Sequence, residues 1–177
     1  MSKLYHVRYV NQLCKQGTIV PMLREKIVII DNVRSAHNVG SIFRTSDGVG
    51  VSRLILFGYT PAPIDRFGRV QPEIEKTSLG ASTMIPWDKK ETDAEILSCV
   101  EQLKKDGFTI VAVEQTTNAV SLYDFAVPQK VAYIFGNEID GVSQLLLGVS
   151  DVVVHIPMLG EKESLNVSVT AGIVLFK

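Results

Sequence analysis

Five polar side chains in three short stretches have the types and spacing to do chemistry together. They are Asn38 and Arg44 in "HNVGSIFR", Glu138 in "GNEIDG", and Ser164 and Asn166 in "ESLNVS". A guanidinium offers a planar fork of donors for phosphate, a carboxylate accepts hydrogen bonds or a proton, and carboxamides and hydroxyls orient an incoming group. Each also has a plainer use. Asn38 and Ser164 stand near expected helix starts, where their side chains suit the capping of free amides. Arg44 has Asp47 within reach on one helix face, a pair worth a few tenths of a kcal/mol. Glu138 fits an exposed loop, with "EIDG" a turn set by Asp140 and Gly141. His37 and His155 suit structural or solvent-facing positions, and three scattered histidines make no metal site. Local sequence leaves these readings open.

The elements that must position these residues are legible from hydrophobic periodicity. "KIVIIDN", "RLILFG", "FTIVAVE", "KVAYIFG" and "DVVVHIP" read as buried strands, near-continuously apolar. Between the first two, Val39, Ile42 and Phe43 repeat at helical spacing, with Gly48 and Gly50 marking the end. "ETDAEILSCVEQLKKDG" is an amphipathic helix with Ile96, Leu97, Val100 and Leu103 on one side and Gly107 as its stop. "EIEKTSLGA" reads as a short helix and "TMIPW" as a short strand. The stretch from Tyr59 to Gln71, with Pro61, Pro63 and "DRFGR", reads as a mobile surface loop. A short helix and a loop are expected ahead of Lys26. The last segment, "LNVSVTAGIVLFK", sets Leu165, Val169, Ile173 and Phe176 on one helical face, which suits an interface and an ordinary core equally.

Strands and helices in alternation imply a parallel-sheet α/β fold with helices on both faces. Ligands on such folds sit beyond the carboxyl ends of the strands, so the loops after "VIID", "IVAVE", "AYIFG" and "VVVHIP" are the informative ones. No P-loop is present and no G-x-G-x-x-G follows the first strand, which argues against P-loop and dehydrogenase chemistry.

A chain of 177 residues with 46% hydrophobic and 21% charged residues has the composition of one ordinary globular domain. Its net charge of −1 lends no bulk support to a nucleic-acid partner, though a local basic patch can bind where the sum is neutral. Apolar runs are strand length, too short to span a membrane, and "MSKLYHVRYVNQ" has no apolar core of a secretory signal. Cys14 and Cys99 lie far apart without metal or redox spacing, so a reduced, cytoplasmic protein is the plain reading.

Taken together, "NVGSIFR" (38–44), "FGNEIDGVS" (135–143) and "IPMLGEKESLNVSVTAGIVLF" (156–176) resemble the three signature motifs of the SpoU, or TrmH-like, RNA ribose methyltransferases of the SPOUT superfamily. "KTSLGA" (76–81) and "VAVEQT" (111–116) are similar to stretches common in its bacterial members. The resemblance covers roughly Lys26 to Lys177, which implies a short extension over 1–25 and one methyltransferase domain over 26–177. It further implies a C-terminal trefoil knot, which periodicity cannot reveal, and S-adenosylmethionine bound bent against Gly136, Ile156 and Leu165, with Thr116 and Met158 as weaker candidates. Arg44 is implied as the central catalytic residue, supported by Asn38, Glu138, Ser164 and Asn166. A guanidinium stays protonated at ordinary pH, so Arg44 suits gripping the phosphate beside the target ribose better than abstracting its 2′-hydroxyl proton.

The resemblance also implies a homodimer paired through the knotted region, with both subunits shaping one site. The long N-terminal RNA-binding domain or basic tails of many relatives are not seen in full, and a chain continuing past Lys177 is left open. Target recognition is then expected from the Arg66 and Arg69 loop with Arg53 and Lys76, or from a partner protein. The expected substrate is RNA, tRNA ahead of rRNA. A non-catalytic RNA-binding or assembly protein is the alternative of another class, and a generic nucleotide-binding module survives only if the motifs are accidental.

Overall fold

A computed structural model describes residues 24–177. The helix and loop expected ahead of Lys26, with Cys14, lie outside the described residues, and the first strand, β1 (Glu25–Asp31), already begins one residue earlier than expected. It is followed by α1 (Ala36–Val49), β2 (Arg53–Phe57), α2 (Pro72–Ser78), α3 (Ala81–Met84), β3 (Trp87–Lys90) and α4 (Asp93–Lys105). Then come β4 (Thr109–Val113), β5 (Val120–Ser121), β6 (Lys130–Phe135), α5 (Gln144–Val149), β7 (Val152–His155) and α6 (Val167–Leu175).

The seven strands form one sheet in the order β3-β2-β1-β6-β4-β7-β5, and every pairing is parallel. Because side chains alternate across a strand, a strand apolar throughout must be covered on both faces. Val28, Ile30, Leu54, Leu56, Tyr133 and Phe135 face one core, shared with α1, α2, α3 and α6. Ile27, Ile29, Ile55, Phe57, Ala132 and Ile134 face the other, shared with α4 and α5.

β1 and β6 are neighbours whose onward connections leave in opposite directions, β1 through α1 to β2 and β6 through α5 to β7. The divergence opens a crevice at their carboxyl ends, the usual ligand position in an open α/β sheet.

Local chemistry accounts for the helix limits. Ser35 caps α1 by accepting from the Asn38 amide, and Gly50 ends it at φ 79°. Thr92 and Glu95 close a capping box at the start of α4. α2 packs so tightly on α1 that a Cβ at Gly40 would stand 2.8 Å from the Ile74 carbonyl oxygen.

Four local expectations need correction. "TMIPW" is not a strand: Thr83 and Met84 end α3, and β3 begins at Trp87, after Pro86. Val120–Ser121 and Gln144–Val149, unanticipated, are an edge strand and a helix too short for a periodic signal. The segment from Tyr59 to Gln71, expected as a mobile surface loop, also carries an antiparallel bridge between Ile64 and Val70 that closes a hairpin. Arg53 sits at the amino end of β2, paired with Asp88 at 3.2 Å, away from the edge where the ligand crevice lies.

Candidate active site

The site begins with two carboxylates that end apolar strands. Asp31, fully buried at the end of β1, accepts from the Ser143 amide at 2.7 Å and from the Asn32 carboxamide at 2.8 Å. Glu114, just past β4, accepts from the Val142 amide at 2.7 Å and the Gln115 amide at 2.8 Å. The loop between β6 and α5 is thus held from both sides. Asn137 completes the brace: its Nδ2 donates to the Asn32 carbonyl at 2.7 Å, and its Oδ1 accepts from Ile139 and Asp140 amides. Asn137, rather than Asp140, therefore shapes the "EIDG" turn, with Gly141 at φ 70°.

Burial raises the Asp31 pKa above the ordinary carboxylate value, opposed by the bonds from Ser143 and Asn32. A carboxyl raised on folding favours the fold while protonated; that contribution is complete below its unfolded pKa and lost as pH rises through the raised value. Asp31→Asn would put an amide NH₂ against one of two donors, and is expected to cost about 1–3 kcal/mol at neutral pH. Urea unfolding across the acid range should also show a flatter pH profile for the variant; unchanged stability and profile together would refute this account of Asp31.

On this frame, three distant polar residues meet. Asn38 Nδ2 donates to Glu138 Oε1 at 2.7 Å, and Asn166 Nδ2 donates to Asn38 Oδ1 at 3.2 Å. Asn166 is itself the cap of α6, its Oδ1 accepting from the Ser168 amide at 2.9 Å. Asn38 and Ser164 do not cap helices; Ser35 and Asn166 do. Asn38 instead joins the other two motifs with both ends of its carboxamide used.

Beside this cluster lies a cleft of about 280 Å³ whose lining includes Gly136, Glu138, Ile156, Met158, Ser164 and Leu165. That is close to the lower end of small-molecule sites, roughly 300–1,000 Å³. Gly136 brings bare backbone to the wall, Ile156 is buried and Leu165 half-exposed. The Gln115 carboxamide donates to the Ile156 carbonyl at 2.8 Å, pinning the β7 exit loop. Such a wall, backbone amides and carbonyls between apolar side chains, suits a planar heterocycle with polar edges.

Thr116 does not line the cleft; its carbonyl accepts from the Ala119 amide in the turn before β5. Arg44 does not line it either. It lies six residues beyond Asn38 on α1, about 9 Å along the helix axis and on another side. It is exposed, and makes no ion pair with Asp47 or any other described residue. Four contributors escaped sequence reasoning: Asp31, Glu114, Asn137 and His155, the last half-buried on the cleft wall. Their shared signal was a polar residue where an apolar strand ends.

This geometry has counterparts among known proteins. A 23S rRNA (guanosine-2′-O-)-methyltransferase, RlmB of Neisseria meningitidis serogroup B, is 33% identical over 149 residues, 84% of this chain and 56% of that protein. The solved TrmH/SpoU tRNA modifying enzyme of A. aeolicus matches with a TM-score of 0.72 at 30% identity, over 86% of this chain and 73% of that one. An AdoMet-bound rRNA methyltransferase from Sinorhizobium meliloti matches with a TM-score of 0.74 at 29% identity, over 86% and 54%. The chain spans little more than half the length of the curated relatives it matches. Its fold is the parallel α/β fold with a C-terminal knot that SpoU methyltransferases share. A model of the SpoU rRNA Methylase family matches residues 25–176, nearly the whole described sequence, and the chain belongs to that family.

Proposed function

We propose that this chain transfers a methyl group from S-adenosylmethionine to a ribose 2′-hydroxyl of RNA, acting as a homodimer. The observation that carries the reading is the Asn38–Glu138–Asn166 cluster beside a cleft walled by Gly136, Ile156 and Leu165. The cofactor supplies an already activated methyl on a sulfonium. The protein's task is then to hold the cofactor folded, place the hydroxyl in line and manage its proton. Gly136 backbone, Ile156, Met158 and Leu165 fit the nucleoside part. Asn38 and Asn166 hold the Glu138 carboxylate in place as an acceptor near the target hydroxyl, with Ser164 on the same wall. Arg44 grips the phosphate beside the target ribose through its planar fork.

Arg44 reaches that position from a second copy of the chain. On α6, Val167, Ala171, Val174 and Leu175 are buried against the core, while Val169, Ile173 and the C-cap Phe176 are 50%, 40% and 69% exposed. The face that suited core or interface equally is thus solvent-facing in one protomer, which favours an interface. α1 packs against α6, with Gly48 beside the Phe176 ring, so the same face carries Arg44's helix. Ile173→Glu is expected to weaken self-association at least about tenfold in sedimentation equilibrium; an unchanged dimer, or a wild-type monomer, would refute this interface.

The 33%-identical relative named for 23S rRNA weighs toward rRNA, the alternative to the tRNA first expected. Among the described residues no helix is long and apolar enough to cross a membrane, and the cytoplasm is the compartment this reading implies. Calorimetry with S-adenosylmethionine, followed by methylation of purified rRNA and total tRNA with mapping of 2′-O-methyl positions, tests the proposal. Cofactor binding with a 2′-O-methyl mark on either RNA is expected. Binding without transfer would favour the non-catalytic RNA-binding reading, and no binding would end both the enzyme reading and the assignment of the cleft.

A further inference from the structure

Arginine is confined to the first part of the chain, from Arg8 to Arg69, with none from Val70 to Lys177. Among the described residues, Arg53 pairs with Asp88, Arg69 pairs with Asp65, and Arg24 donates to the Lys177 carbonyl. Arg34, Arg44 and Arg66 make no ion pair with any described residue and are exposed. The methyl-transfer site uses Arg44. Arg66 belongs to a separate element, the hairpin closed by Ile64 and Val70.

The tip of this hairpin is organised by one side chain. Asp65 Oδ1 accepts from the Phe67 amide at 2.8 Å and the Arg69 amide at 2.9 Å, and its Oδ2 accepts from Arg69 Nε at 2.8 Å. The Gly68 amide donates to the Asp65 carbonyl at 2.9 Å, and Gly68 adopts φ 78°. These bonds, the Arg69 amide first, hold the Asp65 carboxyl below its ordinary range, so it stays ionised across neutral pH. The charge of Arg69 is thereby answered within the turn, and that of Arg66 is not.

Phe67 is 67% exposed at this tip, far more than any core role needs. The Arg66 and Arg69 guanidinium carbons lie 4.9 and 5.1 Å from its ring centroid. An exposed aromatic plane flanked by guanidiniums is costly to leave in water and well suited to a ligand that is both planar and anionic. Unpaired nucleotides have that combination, a base to stack and a phosphate beside it. A duplex, with its bases stacked inside, offers only the phosphate.

The hairpin is also tied to the site at both of its roots. Before it, the Tyr59 amide donates to Asn32 Oδ1 at 3.0 Å, and the Val33 amide donates to Thr60 Oγ1 at 3.2 Å. After it, α2 returns to α1, where Thr77 Oγ1 donates to the His37 carbonyl at 3.3 Å, one residue from Asn38. We propose that the Ile64–Val70 hairpin binds a single-stranded segment of the substrate RNA, an unpaired base stacking on Phe67 while Arg66 grips an adjoining phosphate. This rests on the methyl-transfer reading only in taking RNA as the substrate.

Fluorescence anisotropy with a fluorescein-labelled 12-nucleotide oligouridylate tests it, with a 12-base-pair RNA duplex as comparator. Phe67→Ala is expected to weaken oligouridylate binding about 5- to 100-fold and duplex binding far less. Phe67→Trp should keep the strand affinity. Arg66→Ala should lower the slope of log affinity against log salt for the strand by about 0.7. Far-UV circular dichroism and thermal unfolding of the same proteins report that they are folded, and calorimetry with S-adenosylmethionine reads cofactor binding separately. Wild-type strand affinity in both alanine variants, equal losses on strand and duplex, or no binding of oligouridylate by the wild type would each overturn the proposal. If the wild type methylates RNA while Phe67→Ala binds the strand normally, the hairpin proposal alone falls. If the cofactor never binds but Phe67→Ala still loses the strand, the hairpin proposal stands and the enzyme reading falls.

Discussion

Arg44→Ala is expected to slow methyl transfer about 10²–10³-fold while leaving S-adenosylmethionine binding nearly unchanged, the range seen when one preorganised donor is removed from a transition state. The split follows from position. Arg44 is exposed on α1 and absent from the lining of the cleft in its own protomer, so the wall proposed for the nucleoside does not depend on it. Arg44→Lys should fail nearly as badly, because an ammonium keeps the charge but loses the planar fork that fixes a phosphate in two directions. If Arg44 serves the partner's site, mixing Arg44→Ala with Glu138→Ala protein and allowing exchange should restore about a quarter of wild-type activity through half-intact heterodimers. Transfer at near the normal rate in either Arg44 variant would remove the residue from the mechanism. No recovery on mixing, with exchange demonstrated, would place Arg44 in its own protomer's reaction instead.

Gly136→Ala should abolish cofactor binding and destabilise the fold together. A Cβ at this position would lie 2.2 Å from the Gly141 carbonyl carbon and the Val142 nitrogen, and 2.3 Å from the Gly141 oxygen. All three are backbone atoms, and the segment they belong to is pinned by Glu114 at Val142 and by Asp31 at Ser143. It cannot retreat without breaking those bonds, so overpacking here should exceed the usual 1–3 kcal/mol or so. Thermal unfolding and calorimetry read the two effects. A Gly136→Ala protein that melts with the wild type and binds S-adenosylmethionine normally would show that the β6 exit loop does not sit against Gly141 as described. A stable variant that only loses binding would show that the loop yields, at the expense of the cleft.

Strand identities were legible because burial on both faces leaves an unbroken apolar run, as in Ile27–Ile30 and Val131–Phe135. The helix of Val39, Ile42 and Phe43 was legible from its period, and the three motifs from their order. Short elements such as Val120–Ser121 and Gln144–Val149 were not, since two to six residues cannot establish a period. The hairpin at Ile64–Val70 has no hydrophobic pattern to mark it in sequence, because its order comes from one carboxylate folding back on its own turn.

From its residues alone this protein was determined to be a parallel α/β sheet with polar loops at the carboxyl ends of its strands, because alternation and apolar runs are local properties. Which of those polar residues meet was decided only by tertiary structure. Asn38 finds Glu138 one hundred residues away and Asn166 one hundred and twenty-eight away, a convergence set by β1 and β6 lying side by side. The same packing took Asn38 from a helix cap to a junction and moved Arg53 to the opposite edge of the sheet. It also turned the last helix's second apolar face outward. A side chain's neighbours across the sheet depend on strand order, and strand order is a global minimum that no short window of sequence encodes.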